Sequence, residues 1–255
     1  MSKLDEHLPY AIRQFDTEIV LKLEIFGYDI SLNTASTAKI MTALLISTYL
    51  IYAIRERSIV PRRLQMSAEL LYGLITRTVL DTAGEAAKPA IPFVFTMFTF
   101  VLFGTLLGLT PIKETFTAHL VVTLALALTV FAYVNVLAFK THGIGFLKSF
   151  LPPGVPIFVA PILLFVELVS YLFRPITLGF RLFANIFAGH VMLKLFADFS
   201  SMLVTALGSA GVIAALLPVA VSIVLIGFEI MIVCIQAYIF MLITSMYIRD
   251  SLRGH

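Results

Sequence analysis

Residues 157–196 read IFVAPILLFVELVSYLFRPITLGFRLFANIFAGHVMLKLF, and residues 212–248 read VIAALLPVAVSIVLIGFEIMIVCIQAYIFMLITSMYI. These are 40 and 37 residues of nearly continuous apolar sequence. At 1.5 Å per residue each makes a helix of about 55–60 Å, nearly twice the ~30 Å hydrocarbon core of a bilayer. Each is therefore either broken or steeply inclined. Pro161, Pro175, Gly179 and Gly189 permit bends in the first, whereas the second has no proline after Pro218 and reads as continuous. Gly208-Ser209-Ala210-Gly211 joins them. The expected shape over 157–248 is a long hairpin lying obliquely in the membrane, suited to wrapping something cylindrical.

The rest of the chain fits that solvent. Of 255 residues, 60% are hydrophobic and 13% charged, and the mean hydropathy is +1.00. A water-soluble domain could not cover such a surface. Pro and Gly punctuate the apolar runs and no period-two alternation persists, so the spans are helices rather than barrel strands. Further spans are expected at 38–54, 90–109 and 118–139, giving an all-α integral membrane protein with about five passes. Residues 61–88 are too polar to cross. There Leu64, Ala68, Leu71 and Ile75 follow helical spacing beside Leu70 and Leu74, while Arg63, Glu69, Arg77 and Asp81 take other faces. That pattern predicts an amphipathic helix in the interface.

The whole of 1–255 reads as one membrane domain with a polar N-terminal segment over 1–37. This segment shows no Arg-rich presequence and no short apolar signal core. Its six acids (Asp5, Glu6, Asp16, Glu18, Glu24 and Asp29) outnumber Lys3, Arg13 and Lys22. With an external N-terminus and five passes, Arg55, Arg57, Arg62 and Arg63, then Lys140 and Lys148, then Arg249 and Arg253 all fall on the cytoplasmic side. A net charge of +3, spread over loops, gives no nucleic-acid surface. Cys234 is the single cysteine, so neither an intrachain disulfide nor a cysteine-based metal site is available. Zincin, nucleophile-elbow and phosphate-loop patterns are absent, and no cofactor or metal site is expected.

The chemistry therefore rests on the polar residues of the hairpin: Glu167, Arg174, Arg181, Asn185, His190, Lys194, Asp198, Ser222, Glu229 and Gln236. An Arg at the bilayer centre costs from about 3 to more than 10 kcal/mol, so it is rarely idle. Arg174, Lys194 and Asp198 can be accounted for by snorkelling or local pairing near an interface. Arg181 has two readings, a buried structural ion pair or a working charge. An antiparallel hairpin centred near residue 209 brings residues level when their numbers sum to about 418. Arg181 then meets Gln236, His190 meets Glu229, and Glu167 meets the chain end near Arg249. Gln neutralises Arg poorly, so the missing acid is expected from another chain. Arg174, Arg181 and Asn185 share one helix face, as do Ser222, Glu229 and Gln236, but His190 lies half a turn from Arg181. His190 and Glu229 suit proton uptake, since imidazole titrates near neutrality; a structural hydrogen-bonded pair is the other reading.

At these residues the sequence resembles a known family. Arg174-Pro175-Ile176-Thr177-Leu178-Gly179-Phe180-Arg181-Leu182-Phe183-Ala184-Asn185, followed by Ala188-Gly189-His190, resembles the signature of subunit a of F-type ATP synthases. Gln236-Ala237-Tyr238-Ile239-Phe240 is similar to the family's second motif, and Leu107-Gly108-Leu109-Thr110-Pro111 to one of its turns. The resemblance weakens over the first 35 residues. It implies a non-catalytic stator with two offset half-channels beside the ring of c subunits, coupling proton flow to rotation and ATP synthesis. Arg181 then matches the essential arginine that attracts the ring carboxylate and blocks a proton short-circuit. Asn185 and Gln236 match polar positions near it, His190 and Glu229 the inlet half-channel, and Glu167 the outlet side. Arg174 and Ser222 are accessory candidates. Other implied partners are peripheral-stalk b-type subunits, the remaining synthase subunits and the lipid bilayer. Many bacterial members carry an acid at the position of His190 and a histidine at that of Glu229. The exchanged arrangement here is mitochondrial-like, and implies an alphaproteobacterial inner membrane or, alternatively, the mitochondrial one. Two other classes compete: a pumping subunit of a respiratory complex, which usually carries Lys and Glu on broken central helices, and a non-conducting scaffold, which needs no charges at successive depths.

Overall fold

The computed structural model describes residues 19–21, 24–25, 28–29, 32–55, 61–109, 118–143 and 159–253. Thr110 and Pro111 of the family-like turn, and Arg57 and Lys148, lie outside them. Among the described residues six α-helices carry the fold: α1 (Thr34–Arg55), α2 (Arg63–Ala83), α3 (Ile91–Gly108), α4 (Leu120–His142), α5 (Ala160–Leu207) and α6 (Ser209–Arg253). A 3₁₀ helix over Glu85–Ala90 leads into α3. Among the described residues five stretches are long and apolar enough to cross a membrane: Ser36–Arg55, Glu85–Gly108, Leu120–His142, Ala160–Leu207 and Ser209–Leu252. The chain is an all-α multi-pass membrane protein.

Short ladders precede α1. Strand β1 (Ile19–Leu21) pairs antiparallel with β4 (Leu32–Asn33), and β2 (Glu24–Ile25) with β3 (Tyr28–Asp29).

Helix α2 is the amphipathic element, with a narrower buried stripe than the spacing predicted. Ile75, Val79 and Ala83 are buried at i, i+4 and i+8, and Ala68 and Leu71 are half-buried. Leu64, Leu70 and Leu74 are instead exposed. Apolar side chains left open beside Arg63, Glu69 and Arg77 are what an interfacial helix offers to lipid.

Helices α5 and α6 exceed the expected segments. They run 48 and 45 residues, about 72 and 68 Å at the standard rise. Pro175 and Pro218 are accommodated inside them without ending either helix. Such lengths, more than twice a bilayer core, require steep inclination or extension beyond it.

The chain divides into two compact units. The first comprises Met1–Leu44, Leu102–His119 and Leu182–Gln236; the second comprises Leu45–Val101, Leu120–Arg181 and Ala237–His255. In the first, α5 reverses into α6 at Gly208 alone. Its φ of +59° is the left-handed conformation that glycine adopts without Cβ strain, and its N–H donates to the Val204 carbonyl at 3.1 Å. Gly211 then lies so close to α5 that a Cβ there would stand 2.9 Å from the Val204 Cα and collide with the Leu203 oxygen. At Gly227, by contrast, a Cβ would have nothing within 4 Å. Gly211→Val should accordingly open the turn, costing about 1–3 kcal/mol or more. The measurement is subunit level in membranes, where Gly211→Val falls several-fold and Gly227→Ala stays at wild type. Equal levels would show that the tight turn is dispensable.

In the second unit, Gly179 of α5 sits against the backbone of α4. A Cβ there would meet Leu124 Cδ2 at 2.9 Å and the Thr123 carbonyl at 3.2 Å. Tyr171 of α5 donates its hydroxyl hydrogen to Asn135 Oδ1 of α4 at 2.8 Å, while Asn135 Nδ2 donates to the Phe131 carbonyl. The core of this unit includes Ile75, Val79, Val130, Phe240 and Ile248, all almost fully buried.

Candidate functional site

The polar site of the first unit lies between α5 and α6. Along α6, Ser222, Glu229 and Gln236 recur every seven residues, two helical turns, so they lie on one face. The structure buries this face: Glu229 is 5% exposed, Gln236 3%, and Ser222 half-buried. Asn185 of α5 donates from Nδ2 to Gln236 Oε1 at 2.9 Å. Glu229 is accommodated by Gly189. A Cβ at that glycine would stand 2.5 Å from Glu229 Oε1 and 2.9 Å from its Cδ. Gly189 and Glu229 also sum to 418, the level relation expected of the hairpin.

A cleft of about 260 Å³ opens here, and Asn185, Gly189, Glu229, Gln236 and Thr105 are among the residues lining it. Its walls are otherwise apolar, from residues such as Leu182, Ile186 and Val233. Both carboxyl oxygens of Glu229 and the Nε2 of Gln236 are buried there without a hydrogen-bond partner among the described residues. Unpaired buried acceptors beside an unpaired buried donor are costly in an apolar wall, about 1–3 kcal/mol per group or more for a charge. A cleft of this size admits several water molecules, each requiring only ~10–15 Å³ of probe-occupied space.

Other predicted residues sit differently. His190 is half-buried, does not line the cleft and does not hydrogen-bond Glu229. This follows from helical phase, since Gly189 occupies the position facing the carboxylate. Gln236 takes its partner from Asn185, one turn beyond Arg181. Ser222 turns its hydroxyl back to the Pro218 carbonyl at 2.9 Å, which engages its one donor. In the second unit, Arg174 is held by Asp250 at 3.5 Å and lies over the rings of Tyr171 and Tyr247, 5.3 and 5.4 Å from their centroids. That local pairing accounts for its charge. Arg249 pairs with the neighbouring Asp250 at 3.7 Å. Glu167 is half-buried and, among the described residues, joins no ion pair with Arg249.

Arg181 stands apart. It is exposed on the isolated chain, and among the described residues it forms neither a hydrogen bond nor an ion pair. The buried structural pair therefore has no partner here. In the second unit the exposed residues Phe173, Thr177, Phe180 and Arg181 of α5 follow helical spacing, so the guanidinium belongs to an exposed stripe.

Two polar residues escaped the sequence reading. Thr105, 3% exposed on α3, lines the cleft; its only signal was a hydroxyl in the otherwise apolar Leu102–Leu109 run. Asn135 was a lone amide in an apolar span, which physical cost alone marks as partnered.

These features define a multi-pass membrane protein in which, among the described residues, a carboxyl lies in a cleft without a hydrogen-bond partner and an arginine lies on an exposed helix face without an ion pair. No group of three or more His, Cys, Asp or Glu that could hold a metal occurs among the described residues. Residues 36–249 match the family described as ATP synthase A chain. The chain is 45% identical over 245 residues to ATP synthase subunit a of Acidiphilium cryptum (strain JF-5), covering 96% of this chain and 97% of that one. It is 42% identical over 245 residues to ATP synthase subunit a of Chelativorans sp. (strain BNC1), covering 96% and 98%. The chain belongs to the ATP synthase subunit a family, the non-catalytic, proton-translocating subunits of the membrane sector of F-type ATP synthase.

Proposed function

We propose that this chain forms two offset half-channels beside a ring of c subunits in a bacterial inner membrane, with b-type peripheral-stalk subunits holding it stationary. The observation that carries this reading is the cleft in which Glu229, Gln236 and Asn185 meet. Water in that cleft satisfies the orphan carboxyl oxygens and amide and gives protons a path to Glu229. His190 supplies a second titratable group toward the inlet, and Glu167 serves the outlet side. Asn185 and Gln236 hold each other and line the passage, while Arg174 and Ser222 serve the structure around it.

Arg181 works at the ring. A permanently charged guanidinium exposed to hydrocarbon costs several kcal/mol, so its outward stripe is better covered by a partner bearing a carboxylate. Each passing ring carboxylate is drawn to give up its proton to the outlet, and the fixed positive charge prevents protons crossing directly between the half-channels. A proton falling through the full potential releases about 2.3 kcal/mol per 100 mV. Offset channels convert that drop into rotation because the ring must turn between them.

The test is the identity of the chain opposite this stripe. Phe180 is 48% exposed and adjoins Arg181, so benzoylphenylalanine there preserves an aromatic side chain while reporting its neighbour. In the intact complex, irradiation should yield an adduct to the c subunit. Adducts only to lipid, or only to a stalk subunit, would remove the ring from this face.

A further inference from the structure

A second built cavity lies far along the chain from the proton site, within the unit containing Leu45–Val101. The end of α1 and the start of α2 frame a hollow of about 390 Å³ lined by Arg55, Arg62 and Arg63, with Tyr52, Leu64 and Gln65 completing most of its wall. It adjoins a larger groove of about 640 Å³, since Ala53 and Gln65 line both. The groove is apolar over most of its surface, with Leu50, Ile54, Tyr72, Gly73, Pro92 and Phe95 prominent. Its walls are fixed. Tyr49 of α1 and Ser67 of α2 share a hydrogen bond of 2.7 Å, and the rings of Tyr72 and Phe95 tilt against each other at 5.7 Å. The one acid in the groove, Glu69, accepts from Gln65 Nε2 at 2.8 Å.

We propose that this pair of cavities binds one anionic phospholipid, with its phosphate among Arg55, Arg62 and Arg63 and its acyl chains in the groove. Three observations select that occupant. Among the described residues, neither Arg55 nor Arg63 has an ion pair, and both converge with Arg62 on one hollow. Guanidinium groups match phosphate oxygens in bidentate geometry. The hollow opens directly onto an apolar groove beside an interfacial helix, where a phosphate with acyl chains fits and a soluble anion would leave the groove unused. Helix α2 gains as well: Arg62 and Arg63 stand at its N-terminus with no acid in the first turn, an arrangement the helix dipole disfavours until an anion joins them.

The test uses the intact synthase in nanodiscs containing either phosphatidylglycerol or phosphatidylcholine with a diazirine on the acyl chain. Adducts are mapped on the peptides carrying Tyr72 and Phe95. Phosphatidylglycerol should label them at least about fivefold more strongly, the preference expected from even one arginine near an anionic headgroup. The triple variant Arg55→Gln, Arg62→Gln, Arg63→Gln should lose that preference. Gly73→Leu offers an independent route: a Cβ at Gly73 has nothing within 4 Å, so the side chain fills the groove while all three arginines remain. It should reduce labelling several-fold even if the triple variant fails to assemble. Equal labelling by the two lipids, full labelling in Gly73→Leu, or no labelling because another subunit covers the groove would each overturn the proposal. Loss of labelling on adding excess inorganic phosphate would do so too, by assigning the hollow to a soluble anion.

Discussion

Replacing Arg181 by alanine should leave an assembled synthase whose ATP synthesis falls at least about 100-fold, on the scale seen when one preorganised electrostatic group is removed. Folding should tolerate the change because the side chain is exposed and forms no ion pair among the described residues. Removing a charge from an apolar helix, taken alone, eases its insertion by about 3 kcal/mol. On the proposed role, what is lost is the field at the ring: the passing carboxylate would keep its proton, and nothing would bar protons from crossing between half-channels. Vesicles bearing the variant should consequently show passive proton leak without synthesis. Arg181→Lys should be almost as defective, since an ammonium lacks the delocalised charge and sheds its proton more readily in apolar surroundings. The measurement is proton flux and ATP synthesis in the same vesicles, with assembly checked by co-purification. Ordinary synthesis in assembled Arg181→Ala would refute the role assigned to this residue.

Much of this structure is legible in the sequence because a bilayer imposes few solutions. Five apolar runs become five crossing helices, and the polarity of 61–88 separates α2 from them. The level relation of the hairpin also holds at Gly189 and Glu229, because two helices closed by one glycine have little freedom of register. Boundaries are less legible. Helix α5 continues past Phe196 to Leu207 because Lys194, Asp198, Ser200 and Ser201 break the hydropathy without breaking the helix. Ser200 and Ser201 return their hydroxyls to the Phe196 and Asp198 carbonyls, at 2.8 Å each. The short ladders at 19–21 with 32–33 and 24–25 with 28–29 are hard to see in the sequence because each strand is only two or three residues long, too short for an alternation to register. At the site, spacing places Glu229 and Gln236 on one face of α6 but cannot choose their partners. Helical phase decides those: Gly189, not His190, turns to Glu229, and Asn185 reaches Gln236.

Glu229→Gln should assemble normally yet lower proton flux and coupled ATP synthesis at least about tenfold, within the range of a single general acid–base group. The substitution keeps the shape of a side chain that is 5% exposed and removes only its capacity to exchange a proton. A purely structural carboxyl would give the opposite pattern, with weakened assembly and proportionate flux. The seat of the carboxyl provides a second, stricter test. Gly189→Ala adds a Cβ 2.5 Å from Oε1, inside any tolerated contact, so Glu229 must leave its place in the cleft. Flux should then fall several-fold with Glu229 still present. Glu229→Asp withdraws the carboxyl by one methylene, away from the added methyl. The double variant Gly189→Ala, Glu229→Asp should therefore conduct better than Gly189→Ala alone, a coupling between neighbours that independent effects cannot produce. Flux through both single variants and the double, normalised to assembled complex, measures it. If the double variant conducted only as the product of the two single defects, the contact between Gly189 and Glu229 would not be what positions the proton-carrying group.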